Sequence, residues 1–220
     1  MSQPVVVTLF SGGLDSAVLT HERIVQYGAD RVVGVFFDYG QRGRAAETLA
    51  VTTLASLWKM SVRVLAIRDA FAEFRSGLLP GLGQPEIFRD RPLTEIKKDL
   101  QGYGERTYVP FRNAIFLSLA VGLAESLGVE RIEIGVKGGV GFDVSARFVA
   151  AFEAMARVGS RTQDRLQIAA PLIGRTKADI IRYALAHGFF GLTYSCYSGE
   201  VPPCGRCDAC RERKVAADGV

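Results

Sequence analysis

The chain has 220 residues, 48% of them hydrophobic and 23% charged, which suits one domain with a sizeable core, with or without a small appendage, and argues against pervasive disorder. A formal charge of +4 and a pI near 9.0 suit an anionic ligand such as a nucleotide, and equally an ordinary basic surface. No apolar run reaches the roughly 18 residues that span a bilayer, and MSQPVVVTLF has no basic leader, so a soluble cytoplasmic protein with reduced thiols is expected, with no membrane partner.

Val5 to Phe10 is a continuous apolar, β-branched run, as in a strand buried on both faces. Ser16 to Tyr27 predicts a helix with Val18, Leu19, Ile24 and Val25 on one broad apolar side. Arg31 to Phe37 predicts a second strand, Arg44 to Leu57 a second helix, and Val62 to Ile67 a third strand. From about Asp69 to Arg106 the chain is irregular and rich in glycine, proline and charge. Such an insertion forms a functional lid, part of an interface, or a plain surface excursion. Phe111 to Leu127 is a strongly apolar helix and Arg131 to Val136 a fourth strand. A glycine-rich turn from Lys137 to Gly141 leads to a helix near Val144 to Val158, and Gln167 to Pro171 is a short fifth strand. The last clear helix starts near Lys177, with Thr176 as N-cap and Asp179 three residues on, a capping-box pattern.

This alternation predicts an α/β fold, an open parallel sheet with helices on both faces. Residues 1–190 form the main domain, with the insertion at about 69–106, and residues 191–220 a small C-terminal segment. Ligands of such sheets sit beyond the C-terminal ends of the strands, and every motif below falls there.

Directly after the first strand stands Ser11-Gly12-Gly13-Leu14-Asp15-Ser16. Glycines let the backbone turn tightly and approach an anion. The helix that follows aims its amides and positive dipole end at the same place, and Ser11 and Ser16 add hydroxyls. Asp15, a carboxylate beside a phosphate cradle, is best explained as a magnesium ligand. The plain alternative is a glycine turn that caps a helix. The chain has neither GxxxxGK[ST] nor GxGxxG, which disfavours a Walker loop and a dinucleotide site.

The string resembles the loop of the PP-loop ATP pyrophosphatase family, whose fold is of the HUP, Rossmann-like kind. The resemblance implies that the loop holds the β,γ-pyrophosphate of ATP while a substrate oxygen attacks the α-phosphorus, giving an adenylate, AMP and pyrophosphate. Lys177, in Gly174-Arg175-Thr176-Lys177, matches the late lysine of that family that reaches the phosphates. Its other reading is a solvated first-turn lysine.

Cys196, Cys204, Cys207 and Cys210 are the only cysteines, and all lie within fifteen residues. Two successive Cys-x-x-Cys steps plus one thiol from across a short loop predict a tetrahedral, closed and therefore structural Zn2+ site. An iron–sulfur cluster is the rival.

Together these features resemble the QueC family of queuosine-precursor biosynthesis over nearly the whole chain. The likeness rests on Ser11 to Ser16, Phe37-Asp38-Tyr39-Gly40-Gln41-Arg42, Tyr108-Val109-Pro110-Phe111-Arg112-Asn113, Lys177, Ser195-Cys196-Tyr197 and the CGRCDAC segment. It implies a ligase that activates 7-carboxy-7-deazaguanine with ATP, admits ammonia, and dehydrates the amide to a nitrile in a second ATP-dependent round. Arg112 and Asn113 would then face ATP or the adenylated carboxylate, with Gln41 and Arg42 lining the same pocket. For Arg42 a surface role stays open.

Three departures stand out. Phe111, which the resemblance places with Arg112 and Asp143 among the substrate-binding residues, fills a place where the family usually has glycine. Gly43 stands where the family often has histidine, which removes a possible proton-transfer group. Lys137-Gly138-Gly139-Val140-Gly141-Phe142-Asp143 replaces a longer loop of roughly Thr-Asp-x-Ser-Gly-Tyr-Pro-Asp-Cys. If that loop grips the deazapurine, recognition here differs. Asp143 is then either the surviving carboxylate for the guanine-type edge or a helix N-cap. Similar proteins stand in antiphage operons, including type IV CBASS systems, where the activated deazaguanine goes to a protein amine. The residues leave both endings open.

Two rival classes fit the sequence less well. A PP-loop tRNA-modifying enzyme needs a catalytic cysteine near the ATP or an RNA-binding extension. All four cysteines belong to one cluster, and 220 residues leave no room for an added domain, so a nucleic-acid partner is disfavoured. A non-catalytic zinc knuckle would use the basic cluster Arg206, Arg211, Arg213 and Lys214, but leaves the phosphate loop unexplained. His21 and His187 receive no role, and Trp58 is expected to pack. The resemblance and the apolar Phe111 helix imply a homodimer.

Overall fold

The apolar runs become the strands of one parallel sheet, in a computed structural model that describes residues 3–81, 106–138 and 142–219. The strands are β1 (Val6–Leu9), β2 (Val32–Asp38), β3 (Ser61–Ala66), β4 (Arg131–Ile134) and β5 (Gln167–Ala169), in the order β3-β2-β1-β4-β5. β1 is central, with Val7 beside Val33 of β2 and Ile132 of β4. β3 is a sheet edge, and its Val64 is 61% exposed.

Six helices cover the faces among the described residues: α1 (Leu14–Tyr27), α2 (Arg44–Trp58), α3 (Arg112–Leu127), α4 (Ala146–Gly159), α5 (Lys177–Ala186) and α6 (Asp208–Asp218). Successive strand residues point to opposite faces, so each strand feeds two cores. Val7, Leu9, Val35 and Ile132 pack with Leu117 and Ala120 of α3 and Phe152 of α4. Val6, Phe10, Val32 and Phe36 pack with Val18 of α1, Leu54 of α2 and Ile180 of α5. Each fully buried side chain of this size contributes roughly 1.5–3 kcal/mol. A third, smaller cluster joins Ala46 and Ala50 of α2 to Tyr194, Cys196 and Cys207, which anchors the cysteine segment on the main domain.

Several element boundaries differ from expectation. α1 starts at Leu14, two residues early, with Gly13 as N-cap in extended conformation. Its buried side runs through Leu14, Ala17 and Val18, while Val25, expected there, is exposed. α4 starts at Ala146, where Ser145 Oγ accepts the Phe148 amide at 3.1 Å. The capping box of α5 is formed: Thr176 Oγ1 accepts the Asp179 amide at 3.1 Å and Asp179 Oδ2 accepts the Thr176 amide at 3.2 Å. Trp58 packs against Phe10 and Phe189, as its expected packing role requires. Of the expected insertion, residues 82–105 lie outside the described residues. Its base is tied down by a Gly77 amide donating to the Arg106 carbonyl at 2.7 Å, and Phe71 and Leu79 are buried. No helix among the described residues is long and apolar enough to cross a membrane.

Candidate active site

The chain runs from β1 through β2 to β3 on one side, then crosses to β4 and β5 on the other. A crevice opens beyond the carboxyl ends of the strands at such a reversal. It takes the form of a cleft of about 560 Å³, lined among others by Ser11, Asp15, Gln41, Arg112, Asn113 and Lys177.

The glycine–serine bend after β1 is held by its own hydrogen bonds. Ser16 Oγ donates to the Gly13 carbonyl at 3.0 Å and accepts the Ser11 amide at 3.2 Å, and the two serine hydroxyls meet at 3.0 Å. Gly12 has φ of 75°, and a Cβ there would lie 3.0 Å from the Glu47 carbonyl oxygen and 3.1 Å from the Ala50 and Val51 side chains. Only glycine fits that turn against α2. Asp15 stands in the first turn of α1, and Lys177, the first residue of α5, reaches it with Nζ 2.9 Å from Oδ1 and 3.2 Å from Oδ2.

The β2–α2 connection forms a second wall. Gln41 is buried: its Oε1 accepts the Tyr39 amide at 3.0 Å, and its Nε2 donates to the Phe37 carbonyl at 3.2 Å and to Glu47 Oε2 at 2.7 Å. Arg42, expected in the same pocket, is exposed and absent from the cleft lining. Its Nε donates to the Gly77 carbonyl at 2.9 Å and its amide to the Leu78 carbonyl at 2.9 Å, so it fastens the base of the insertion instead. Asp38, at the end of β2, accepts both Arg68 and Arg44; the Arg68 bond above all holds its carboxyl below the usual range, against the effect of burial.

α3 brings in the Arg112–Asn113 pair. Arg112 Nη1 donates to the Tyr39 hydroxyl at 3.2 Å, and its guanidinium lies 5.9 Å and 6.0 Å from the Tyr39 and Phe116 ring centres. Phe111 is the N-cap of α3 with φ of 54°, is 62% exposed, and does not line the cleft. The left-handed backbone explains why glycine suits this position. Asp143 is buried and also stands outside the lining. Its Oδ2 accepts the Asn113 amide at 2.9 Å while Asn113 Nδ2 donates to the Asp143 carbonyl at 2.9 Å. Asp143 is therefore not the expected N-cap of the adjacent α4, where Ser145 stands; its carboxylate instead accepts a first-turn amide of α3, across the fold.

The four cysteine sulfurs lie within 4.8 Å of one another, and none is in a disulfide. A single tetrahedral ion with metal–sulfur bonds of about 2.3 Å needs that convergence. Backbone amides of Tyr197, Cys204, Arg206 and Cys207 donate to the sulfurs at 3.3–3.4 Å, which favours thiolate. Burial opposes the Cys196 thiolate, yet the Ser198 hydroxyl and the neighbouring amides bring it down to about 6, while burial raises Cys207 and Cys210. The donor set fits a metal. Cys196, with Ser195 and Tyr197, also lines the cleft.

Sequence reasoning missed Glu47, Tyr194 and Arg213, which line the same cleft. Glu47 looks like any first-turn acid. Arg213 stands in the sequence within a basic cluster, but its Nη1 donates to Thr193 Oγ1 at 2.7 Å and its guanidinium lies 4.1 Å from the Phe190 ring centre, so it is withdrawn from that patch.

Comparison with known proteins follows the same lines. The chain matches the family model for queuosine biosynthesis protein QueC over residues 5–219. It is 36% identical to a 7-cyano-7-deazaguanine synthase of Synechococcus sp. (strain CC9902), over 98% of this chain and 93% of that one. To the protein of the same name from Kineococcus radiotolerans it is 37% identical, over 96% and 91% of the two chains. Among solved structures, the U34-tRNA thiolase NcsA of Methanococcus maripaludis, with its [4Fe-4S] cluster, shares the fold at a TM-score of 0.50 and 13% identity, over 99% of this chain and 70% of that one.

Proposed function

The chain belongs to the QueC family, and on that premise we propose that it uses ATP to convert the carboxylate of 7-carboxy-7-deazaguanine through the amide to 7-cyano-7-deazaguanine. The observation that carries this reading is the meeting, in one cleft, of the Ser11–Ser16 bend, the Asp15–Lys177 pair and the Arg112–Asn113 wall. The product class comes from the names of the curated relatives.

In the first step a carboxylate oxygen attacks the α-phosphorus of ATP, the bond to the bridging oxygen breaks, and pyrophosphate leaves. The serine hydroxyls, loop amides and amino end of α1 hold the β,γ-phosphates, and Lys177 exchanges Asp15 for the oxygens on which charge builds. Asp15 would hold Mg2+ beside the phosphates, and that ion, when bound, neutralises their charge. Arg112, backed by Tyr39 and Phe116, presents a guanidinium to the carboxylate or the α-phosphate. Ammonia then attacks the acyl carbon and AMP departs. In the second round the amide oxygen displaces pyrophosphate from another ATP. Loss of two protons from nitrogen with cleavage of the C–O bond then releases AMP and leaves the nitrile. Cys196, Cys204, Cys207 and Cys210 would hold Zn2+ with no open position, so their part is to support the Tyr194–Tyr197 wall.

The test supplies purified protein with ATP, magnesium and the acid, with and without ammonium, and follows products by mass spectrometry. Amide and then nitrile, with AMP and pyrophosphate, are expected. ADP with orthophosphate would overturn the reading. Amide that never becomes nitrile, or product formed only with an added protein, would assign the chain to the second ending, transfer to a protein amine.

A further inference from the structure

Resting on that reading, we propose that Glu47 is the residue that receives the amine: its carboxylate binds the incoming ammonium, takes a proton from it, and so delivers neutral ammonia to the acyl adenylate.

Glu47 lies in the first turns of α2 and lines the cleft. One of its oxygens is fixed, since Oε2 accepts Gln41 Nε2 at 2.7 Å, and Gln41 is itself locked by the Tyr39 amide and the Phe37 carbonyl. The other oxygen, Oε1, faces Gly43. A Cβ at that position would sit 3.2 Å from Oε1, 3.3 Å from Cε1 of Tyr194 and 3.5 Å from the Cys196 carbonyl oxygen. A side chain there would press on the carboxylate, whereas glycine leaves it open to the cleft. This stretch of wall therefore collects a carboxylate oxygen, a carbonyl oxygen and an aromatic ring. The two oxygens attract a compact cation that carries N–H donors, and the ring edge bounds the space beside them.

Much of the facing lining has the opposite chemistry. Lys177, Arg112 and the serine bend offer donors and positive charge, which suit phosphates and a substrate carboxylate. Among the described residues that line the cleft, Asp15 is paired with Lys177 and Glu212 with Lys137, whereas Glu47 is held by a neutral glutamine. An ammonium ion is best accepted there, and the step needs such a place, because the protonated form has no lone pair for attack. Burial pushes the Glu47 carboxyl up, against the Gln41 hydrogen bond and the Arg112 charge, which makes it a stronger base than an exposed carboxylate. In the step, ammonium gives one proton to Glu47, the resulting ammonia forms the N–C bond, and the C–O bond to AMP breaks with its electron pair going to AMP. The attached nitrogen loses a second proton to become the neutral amide, and both protons pass on to solvent.

The experiment compares the wild type with Glu47→Gln in three assays. Acid-dependent exchange of labelled pyrophosphate into ATP reports adenylation alone. Amide formation from ammonium reports delivery of the amine. Hydroxamate formation from hydroxylamine reports capture of the adenylate by a nucleophile that is already neutral near pH 7. General-base assistance contributes typically about 10²–10⁴-fold, so amide formation should fall by at least about 100-fold. Exchange and hydroxamate formation should persist, which a merely structural role for Glu47 would not allow. Unchanged amide formation would overturn the proposal, and so would a parallel fall in all three assays. Absence of exchange in the wild type would instead strike at the adenylation reading beneath it, and the proposal would fall with that reading.

Discussion

Lys177 Nζ lies 2.9 Å from Asp15 Oδ1 although 162 residues separate them, and both side chains line the cleft beyond β1. The pair is partly exposed, with 18% and 26% of the two side chains accessible, so it adds on the order of 1 kcal/mol or less to stability. In the proposed reaction each charge neutralises the other until a polyphosphate arrives and takes the lysine.

Removing either member should therefore separate activity from folding. Asp15→Asn is expected to abolish AMP release, and Lys177→Ala to slow it by roughly 10²–10³-fold. Both variants should melt close to the wild type. Pyrophosphate exchange and circular-dichroism melts measure the two quantities, and normal turnover in Asp15→Asn would remove the metal role assigned to that carboxylate.

Phe111 keeps φ of 54° with its ring largely in solvent. For a residue with a Cβ this backbone costs about 1–2 kcal/mol, part of which glycine's extra freedom in the unfolded chain offsets. Phe111→Gly should therefore raise stability by roughly 0.5–1 kcal/mol, seen as a higher urea midpoint with unchanged slope. A lower midpoint would show that the exposed ring makes a stabilising contact.

Asp38 supplies a pH dependence of known sign. Its folded carboxyl is held low, chiefly by Arg68, so the bonded anion stabilises the fold above the ordinary carboxylate value of about 3.9. That contribution fades as the pH falls through the lower folded value. Asp38→Asn should thus be less stable than the wild type at pH 7, with the gap closing below about pH 4. Urea titrations from neutral to acid pH test this, and a gap of constant size would contradict it.

Cys207 is fully buried in the thiol cluster, and its sulfur accepts the Tyr197 amide at 3.4 Å. Cys207→Ser should lower bound metal and melting temperature together, because a metal site of this kind lends its binding energy to folding. Elemental analysis beside a melt would show it. Full metal content with a lowered melt would reassign the thiol to packing.

Local physics made much of this molecule readable. Buried parallel strands announce themselves as unbroken apolar runs, as at Val5 to Phe10, and the capping box at Thr176 was visible as two residues at the right spacing. The edge position of β3 was not, since strand order is set by crossovers that no local pattern records. The Asp143–Asn113 bonds join residues 30 apart on different elements, a pairing that no local capping pattern records. Glu47 was invisible for a similar reason. Its distinguishing features are a neighbour without a side chain and a glutamine that holds one oxygen, and both appear only when the β2–α2 loop is folded.

Cys196 belongs at once to the thiol cluster and to the lining of the cleft, with Ser195 and Tyr197 on either side. The two larger cores, on the faces of the sheet, do not depend on it. On the proposed reading, loss of the metal would therefore loosen one wall of the cleft and lower the melting temperature before it reached the two sheet cores.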